Sequence, residues 1–392
     1  MPLFWSIRLV MDFEWLLWAL PVAFGLGWMA SRIDVRQWRR VQHDAPQAYF
    51  KGLTLLLNEQ QDKAIDAFIE AVQHDPGSSD LHFALGNLFR RRGEYERAVR
   101  VHQHLVMRGD LPASERDRAQ FALAQDYHKA GLFDRAEQAF KMLEGTDFAT
   151  EARLATLTLH ERARDWKSAI EVARSLESVA GGSFGSRIAH YACELALEAD
   201  ARGQAEEAET ALARAREASA QSPRPWVLAG QRLARQGKHA EALTLWTPLM
   251  TIHPGVFSVI ARDYGASAKA CGQEDVAREC LRAVQRQTPS TDVLAALLKL
   301  ETDPTERRET LHEHLQLHPT LTATQALLRE IGLGPSAQPD EAQAIQQALS
   351  EAARPLQRYR CAACGFEAQQ YFWQCPGCQG WDTYPPRRLE DH

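Results

Sequence analysis

A repeat with a period close to 34 residues runs through the middle of the chain, and it constrains the architecture more than any other feature. Gly52, Ala64, Phe68, Ala71 and Pro76 set a pattern of small, large and helix-breaking positions. Gly86 and Ala98 repeat the small positions one period on, with Phe89 and Leu105 beside them. After a short insertion around Leu111–Arg116 the pattern returns as Ala124, Tyr127, Ala136, Phe140 and Leu143. Two worn copies centre on Ala169 and Ala208. A clear sixth follows with Trp226, Gly230, Leu233, Ala242, Trp246, Leu249 and Pro254, then a seventh with Ala277, Leu281, Val284 and Pro289, and a worn eighth ends near Pro319. Ala, Leu, Glu, Arg and Gln dominate this region and β-branched residues are sparse, so each unit reads as a pair of helices. Small residues let the two helices approach, large ones fill the space between units, and the proline stops the second helix. One unit alone cannot bury its apolar face, so the copies must stack into a superhelix with a concave groove.

Unit length, helix–turn–helix order and residue placement resemble the tetratricopeptide repeat. The fold predicted is therefore all-α, a tetratricopeptide-repeat superhelical solenoid of about eight repeats over residues 46–330. Partner contacts in such arrays fall mainly on the inner faces of the first helices. By the repeat register these faces carry Asn87, Arg90, Arg91, Gln125, His128, Lys129, Gln231 and Arg235. They read as a groove for an acidic or polar segment, or, residue by residue, as an ordinary solvated face.

Residues 1–33 read as an N-terminal transmembrane helix followed by a basic juxtamembrane linker over 34–45. Trp15 to Ala30 is uncharged, slightly short of the ~20 residues that usually cross a bilayer, so the span is expected to be short or tilted. Trp15, Trp18, Trp28 and Trp38 lie near its ends. Arg32, Arg36, Arg39 and Arg40 follow it, against Arg8, Asp12 and Glu14 before it, which places the rest of the chain in the cytoplasm. A cleaved signal peptide is the alternative, but no A-x-A site follows. Pro21 should kink the span, and Met11 is a second candidate start.

The repeats fade into GLGPSAQP, and residues 331–356 read as a linker and closing helix with Asp340 as its N-cap and Ala342, Ile345 and Leu349 as its apolar stripe. Residues 357–392 then place Cys361, Cys364, Cys375 and Cys378 in a C-x2-C-x10-C-x2-C pattern. Each pair is a knuckle presenting two thiolates, with Gly365 and Gly377 supplying backbone freedom and Pro376 stiffness. Phe366, Tyr371, Phe372 and Trp373 suit a hairpin between the knuckles, with Trp381 and Tyr384 to cover it. So short a unit needs metal to fold, and four thiolates select one structural iron or zinc ion with no open position for catalysis. Paired disulfides or a redox dithiol compete with that reading. Cys193, Cys271 and Cys280 read as packing residues, and His312 stands two and six residues from His314 and His318, spacings that share no helix face. The net charge of −6, with both signs mixed, carries no nucleic-acid footprint.

The order of parts, with LPVAFG, LLNEQQDKAIDAF, LGNLFRRRGEYERAVRVHQHL, AGLFDRAEQAF, IAHYACELAL and YRCAACGF…YFWQCPGC, resembles the lipopolysaccharide assembly protein B family. The resemblance implies a non-enzymatic, single-pass inner-membrane adaptor whose repeats and rubredoxin-like metal domain face the cytoplasm. It further implies regulation of lipopolysaccharide synthesis, promoting degradation of the LpxC deacetylase by the FtsH protease, and contacts with lipopolysaccharide synthesis or transport proteins. The family's metal ligands carry over to the four cysteines named above. Ser178–Gly185 and Gln204–Ala220 depart most from the family, leaving partner contacts there and any homo-oligomer open. A rubredoxin-like electron carrier, or a general assembly scaffold with its bulk outside the cytoplasm, are the rival functions.

Overall fold

The computed structural model describes residues 21–29, 50–180, 182–332 and 339–392. Residues 21–29 are helical. The rest of the expected anchor and its basic linker lie outside the described residues. Among the described residues no helix is long and apolar enough to cross a membrane. The chain forms two compact units, one ending at Arg162 and the other spanning Ala163–His392.

In the first unit, helices over 50–57, Gln61–His74, Ser79–Arg92, Tyr95–Met107, Ala113–Lys129 and Phe133–Lys141 lead into Ala149–Ala163. The small-against-large repeat pattern is realised across each helix pair. A Cβ on Gly52 would come within 2.7 Å of the Phe68 ring, and one on Gly86 within 2.5 Å of the His102 ring. Ala124 and Phe140 share the next core cluster. Turn chemistry follows the sequence: Ser78 accepts the Leu81 N–H at a helix start, and Gly93 closes that helix in the left-handed conformation.

The second unit continues with Trp166–Ala180, Gly185–Ala201, Ala205–Ala218, Arg224–Arg235 and His239–Trp246. The short Leu249–Ile252 is followed by Pro254–Ala270, Glu274–Gln287, Thr291–Leu300, Pro304–Leu317, Leu321–Ile331 and Pro339–Ala353. Here Trp246 lies against Gly230, its indole N–H donating to the Val227 carbonyl at 3.3 Å. Pro254 does not stop a helix as the repeat register suggests. It opens the next one, where a missing N–H is harmless. Asp340 likewise sits inside the first turn of the closing helix rather than capping it, and Ile345 of the expected stripe is 43% exposed.

The C-terminal ribbon corrects the expected hairpin. Its strands are Tyr359–Arg360 and Glu367–Ala368, paired antiparallel, so they bracket the first knuckle instead of spanning the gap between knuckles. A single bridge, Gln374 to Trp381, brackets the second knuckle in the same way.

Candidate metal centre

Each knuckle folds by the same backbone bonds. The Cys361 N–H donates to the Phe366 carbonyl at 2.9 Å and the Gly365 N–H to the Cys361 carbonyl at 2.9 Å. In the second, the Cys375 N–H donates to Gly380 at 2.9 Å and the Gln379 N–H to Cys375 at 2.7 Å. The residue after each second cysteine has positive φ, +76° at Gly365 and +59° at Gln379. Gly377 therefore has a different role from the one its sequence suggests. A Cβ there would stand 3.2 Å from Phe366 Cβ and 3.4 Å from Cys364 Sγ, so it is needed for space.

The two knuckles bring all four sulfurs within 4.8 Å of one another. Cys361 to Cys378 is 3.8 Å and Cys364 to Cys375 is 3.6 Å, beyond a disulfide bond of ~2.05 Å. A tetrahedron with metal–sulfur bonds of ~2.3 Å has edges of about 3.8 Å, so the cluster fits one ion. Cys361 and Cys375 are buried, Cys364 and Cys378 exposed. Burial opposes ionisation of Cys361, but hydrogen bonds from Thr383 and from the Cys364 and Ala363 N–H groups pull it down to about 6. Against the Phe366 N–H, burial and the neighbouring sulfurs push the Cys364 thiol up to about 12. A bound cation would replace the shared protons.

The ribbon is docked on the helices of its own unit along a ladder that the sequence reading missed. His190, Arg224, Ser258 and Asp292 stand 34 residues apart, one from each of four successive repeats, and each touches the ribbon. His190 stacks on Trp381 with ring centroids 4.7 Å apart, and its Nε2 lies 2.8 Å from an Asp382 oxygen. The Arg224 guanidinium lies 5.4 Å from the Trp381 ring and 5.9 Å from the Trp373 ring. Ser258 donates to the Pro386 carbonyl at 2.6 Å. Asp292 accepts the Tyr359 hydroxyl at 2.6 Å and both arms of Arg388 at 2.8 Å. Trp381, expected to cover the ribbon, packs on Trp166, His190 and Tyr191 of the helices.

The last turn, Leu389–Asp391, closes the contact electrostatically. Asp391 accepts the Thr291 N–H at 3.0 Å and Glu390 the Thr322 N–H at 3.2 Å, placing two carboxylates at the positive ends of two helices. His318 meets the Asp391 carbonyl at 3.1 Å, and buried His314 bridges Gln285 and Thr320, its pKa lowered to about 4 by burial and by His318. Buried Cys193 is raised to about 12, chiefly by burial.

The eight expected groove residues are divided between the units. In the first, Arg90 donates to Asp126 and the Ala122 carbonyl, each at 3.0 Å, and to Asn87 at 2.5 Å. Arg91 and Lys129 are exposed and Gln125 is half-buried. His128 is half-buried, with its pKa lowered by burial and then by Arg162 and Lys129. In the second unit Gln231 donates to Asp263 at 2.9 Å, and exposed Arg235 donates to the Gln231 carbonyl at 3.3 Å.

Fold and site together define a class, a tetratricopeptide-type helical array carrying a rubredoxin-like four-cysteine ribbon. Residues 359–386 match the family described as the rubredoxin metal binding domain. Lipopolysaccharide assembly protein B of Escherichia coli strain K12 is 32% identical over 384 residues, covering 96% of this chain and 98% of that one. The protein of the same name from Haemophilus influenzae strain Rd is 25% identical over 394 residues, covering 97% and 99%. The chain belongs to the lipopolysaccharide assembly protein B family. Among solved structures, a tetratricopeptide repeat protein from Parabacteroides merdae aligns with 66% of this chain and 98% of its own at 16% identity and a TM-score of 0.34.

Proposed function

We propose that this protein is a non-enzymatic adaptor in lipopolysaccharide assembly, held at the inner membrane by residues 1–33 with its bulk in the cytoplasm. One observation carries the structural part. The second knuckle delivers Trp373, Trp381 and Asp382 onto His190 and Arg224 while the four sulfurs close on one another. Cys361, Cys364, Cys375 and Cys378 hold one iron or zinc ion as a structural clamp, with no position left for water or substrate. Attachment to the membrane would raise the effective concentration of membrane-borne partners without new contacts. The family resemblance names FtsH as the protease and LpxC as its client, so control of LpxC turnover is the specific activity proposed.

Replacing Cys361 and Cys364 together by Ser tests it in cells. LpxC is expected to persist and lipopolysaccharide to rise, while helical circular dichroism of the purified chain is largely kept. Normal LpxC turnover in that variant would remove the ribbon from the mechanism. The rival electron carrier has the rubredoxin match in its favour. It requires iron, so full activity with zinc in the site would exclude it.

A further inference from the structure

Docking of the ribbon leaves a cleft of about 380 Å³ beside the seam, within the second unit. Helices Pro254–Ala270 and Thr291–Leu300 form one wall, and the ribbon residues Gln369, Gln370 and Tyr371 form the other. Its charge is one-sided. Arg262, Lys299 and Arg388 face Asp292 as the single carboxylate, and Asp292 is already held by Arg388 through two bonds of 2.8 Å. Among the described residues neither Arg262 nor Lys299 has an ion-pair partner, although the chain carries a net charge of −6. Two cations thus stand ready in a cleft whose own acid is satisfied.

We propose that this cleft binds an extended acidic segment of a partner protein. Arg262 and Lys299 sit on different helices, so their charges are spread along the cleft instead of converging on one point as a lone phosphate would require. Gln369 and Gln370 are exposed and offer both amide donors and acceptors, which suits a peptide backbone. Ala295, Ala296 and Tyr371 add apolar lining for the residues between the acidic ones. The ribbon wall exists only while the ribbon is docked, so the metal site and the peptide site are coupled by geometry. The proposal rests on the adaptor reading only in naming a protein segment as the occupant.

The test is fluorescence anisotropy of a labelled peptide alternating Glu and Leu, titrated with the full metal-loaded chain in detergent. Arg262→Glu combined with Lys299→Glu is expected to weaken binding by about tenfold or more. Arg262→Lys with Lys299→Arg is expected to stay within about threefold of the parent, since charge is kept. Unchanged melting temperature and metal content in both variants confine the effect to the cleft. Equal binding by the charge-reversed and parental chains would overturn the proposal. Displacement of the peptide by inorganic phosphate at about 1 mM would overturn the choice of occupant, by showing an affinity for the anion alone. Lipopolysaccharide control and peptide binding are separate readouts, so failure of this assay leaves the adaptor function standing.

Discussion

Asp126 shows how a repeat position can be filled by chemistry instead of bulk. The large position of three repeats holds Phe68, Phe140 and Trp246, but the second repeat has His102 there, fully buried with its Nδ1 on Asp126. Asp126 also holds Arg90, so one buried carboxylate secures two side chains from the preceding repeat. Asp126→Ala would leave buried His102 without its Nδ1 partner and Arg90 without its counter-charge, and urea unfolding should show a loss of about 3 kcal/mol. Adding His102→Phe, the residue the neighbouring repeats use, should recover part of that loss. A single-variant cost below about 1 kcal/mol would mean the network is solvated and not structural. The sequence hid this, because Arg90 reads as a groove residue until Asp126, 36 residues away, is seen beneath it. In the same way Gln379 performs the left-handed turn that the glycines seemed to reserve, and no local rule marks it.

Among elements, the ribbon–helix contact was the least legible part. The repeats could be read because Gly52 with Phe68 and Gly230 with Trp246 follow a fixed 16-residue offset. The four cysteines could be read because metal chemistry fixes their spacing. The ladder His190, Arg224, Ser258 and Asp292 keeps the repeat step as faithfully, yet its residues share no chemistry. Their common property is a partner segment lying 67 to 192 residues away. Trp381→Ala removes a ring stacked on His190 and set edge-on to Trp166 and Tyr191, and should weaken docking by about 2 kcal/mol. Trypsin should then cut after Arg358 faster than in the parent, while the helical array persists. An unchanged cleavage rate would show that Trp381 does not hold the ribbon.

The C-terminal turn adds a pH dependence of definite sign. Burial, followed by opposing and assisting neighbours, raises the pKa of both Glu390 and Asp391 above the ordinary 4.5 and 3.8. An acid whose pKa is higher in the folded state stabilises most below its ordinary value, and that contribution falls as pH rises through the folded value. The window therefore opens near pH 4 and extends upward. Glu390→Gln with Asp391→Asn should flatten this component of the melting-temperature profile. Identical profiles in parent and variant would contradict the burial of these carboxylates.

For the whole molecule, the central claim is that a closed four-sulfur site builds a surface instead of performing chemistry. The ribbon has a small core of its own, Tyr359, Cys361, Cys375 and Tyr384, two of whose members are proposed ligands. Such a unit should not stay folded without its ion. The loss should then spread to the helix starts that Asp391 and Glu390 cap, but not into the cores around Phe68 or Leu212. The most direct measurement is hydrogen exchange of the full chain before and after metal removal by a chelator under reducing conditions. The expected result is lost protection over 359–391 together with faster exchange at Thr291 and Thr322, and unchanged protection of the repeat cores. Retained protection of the ribbon and of both helix starts after the metal is gone would contradict the claim.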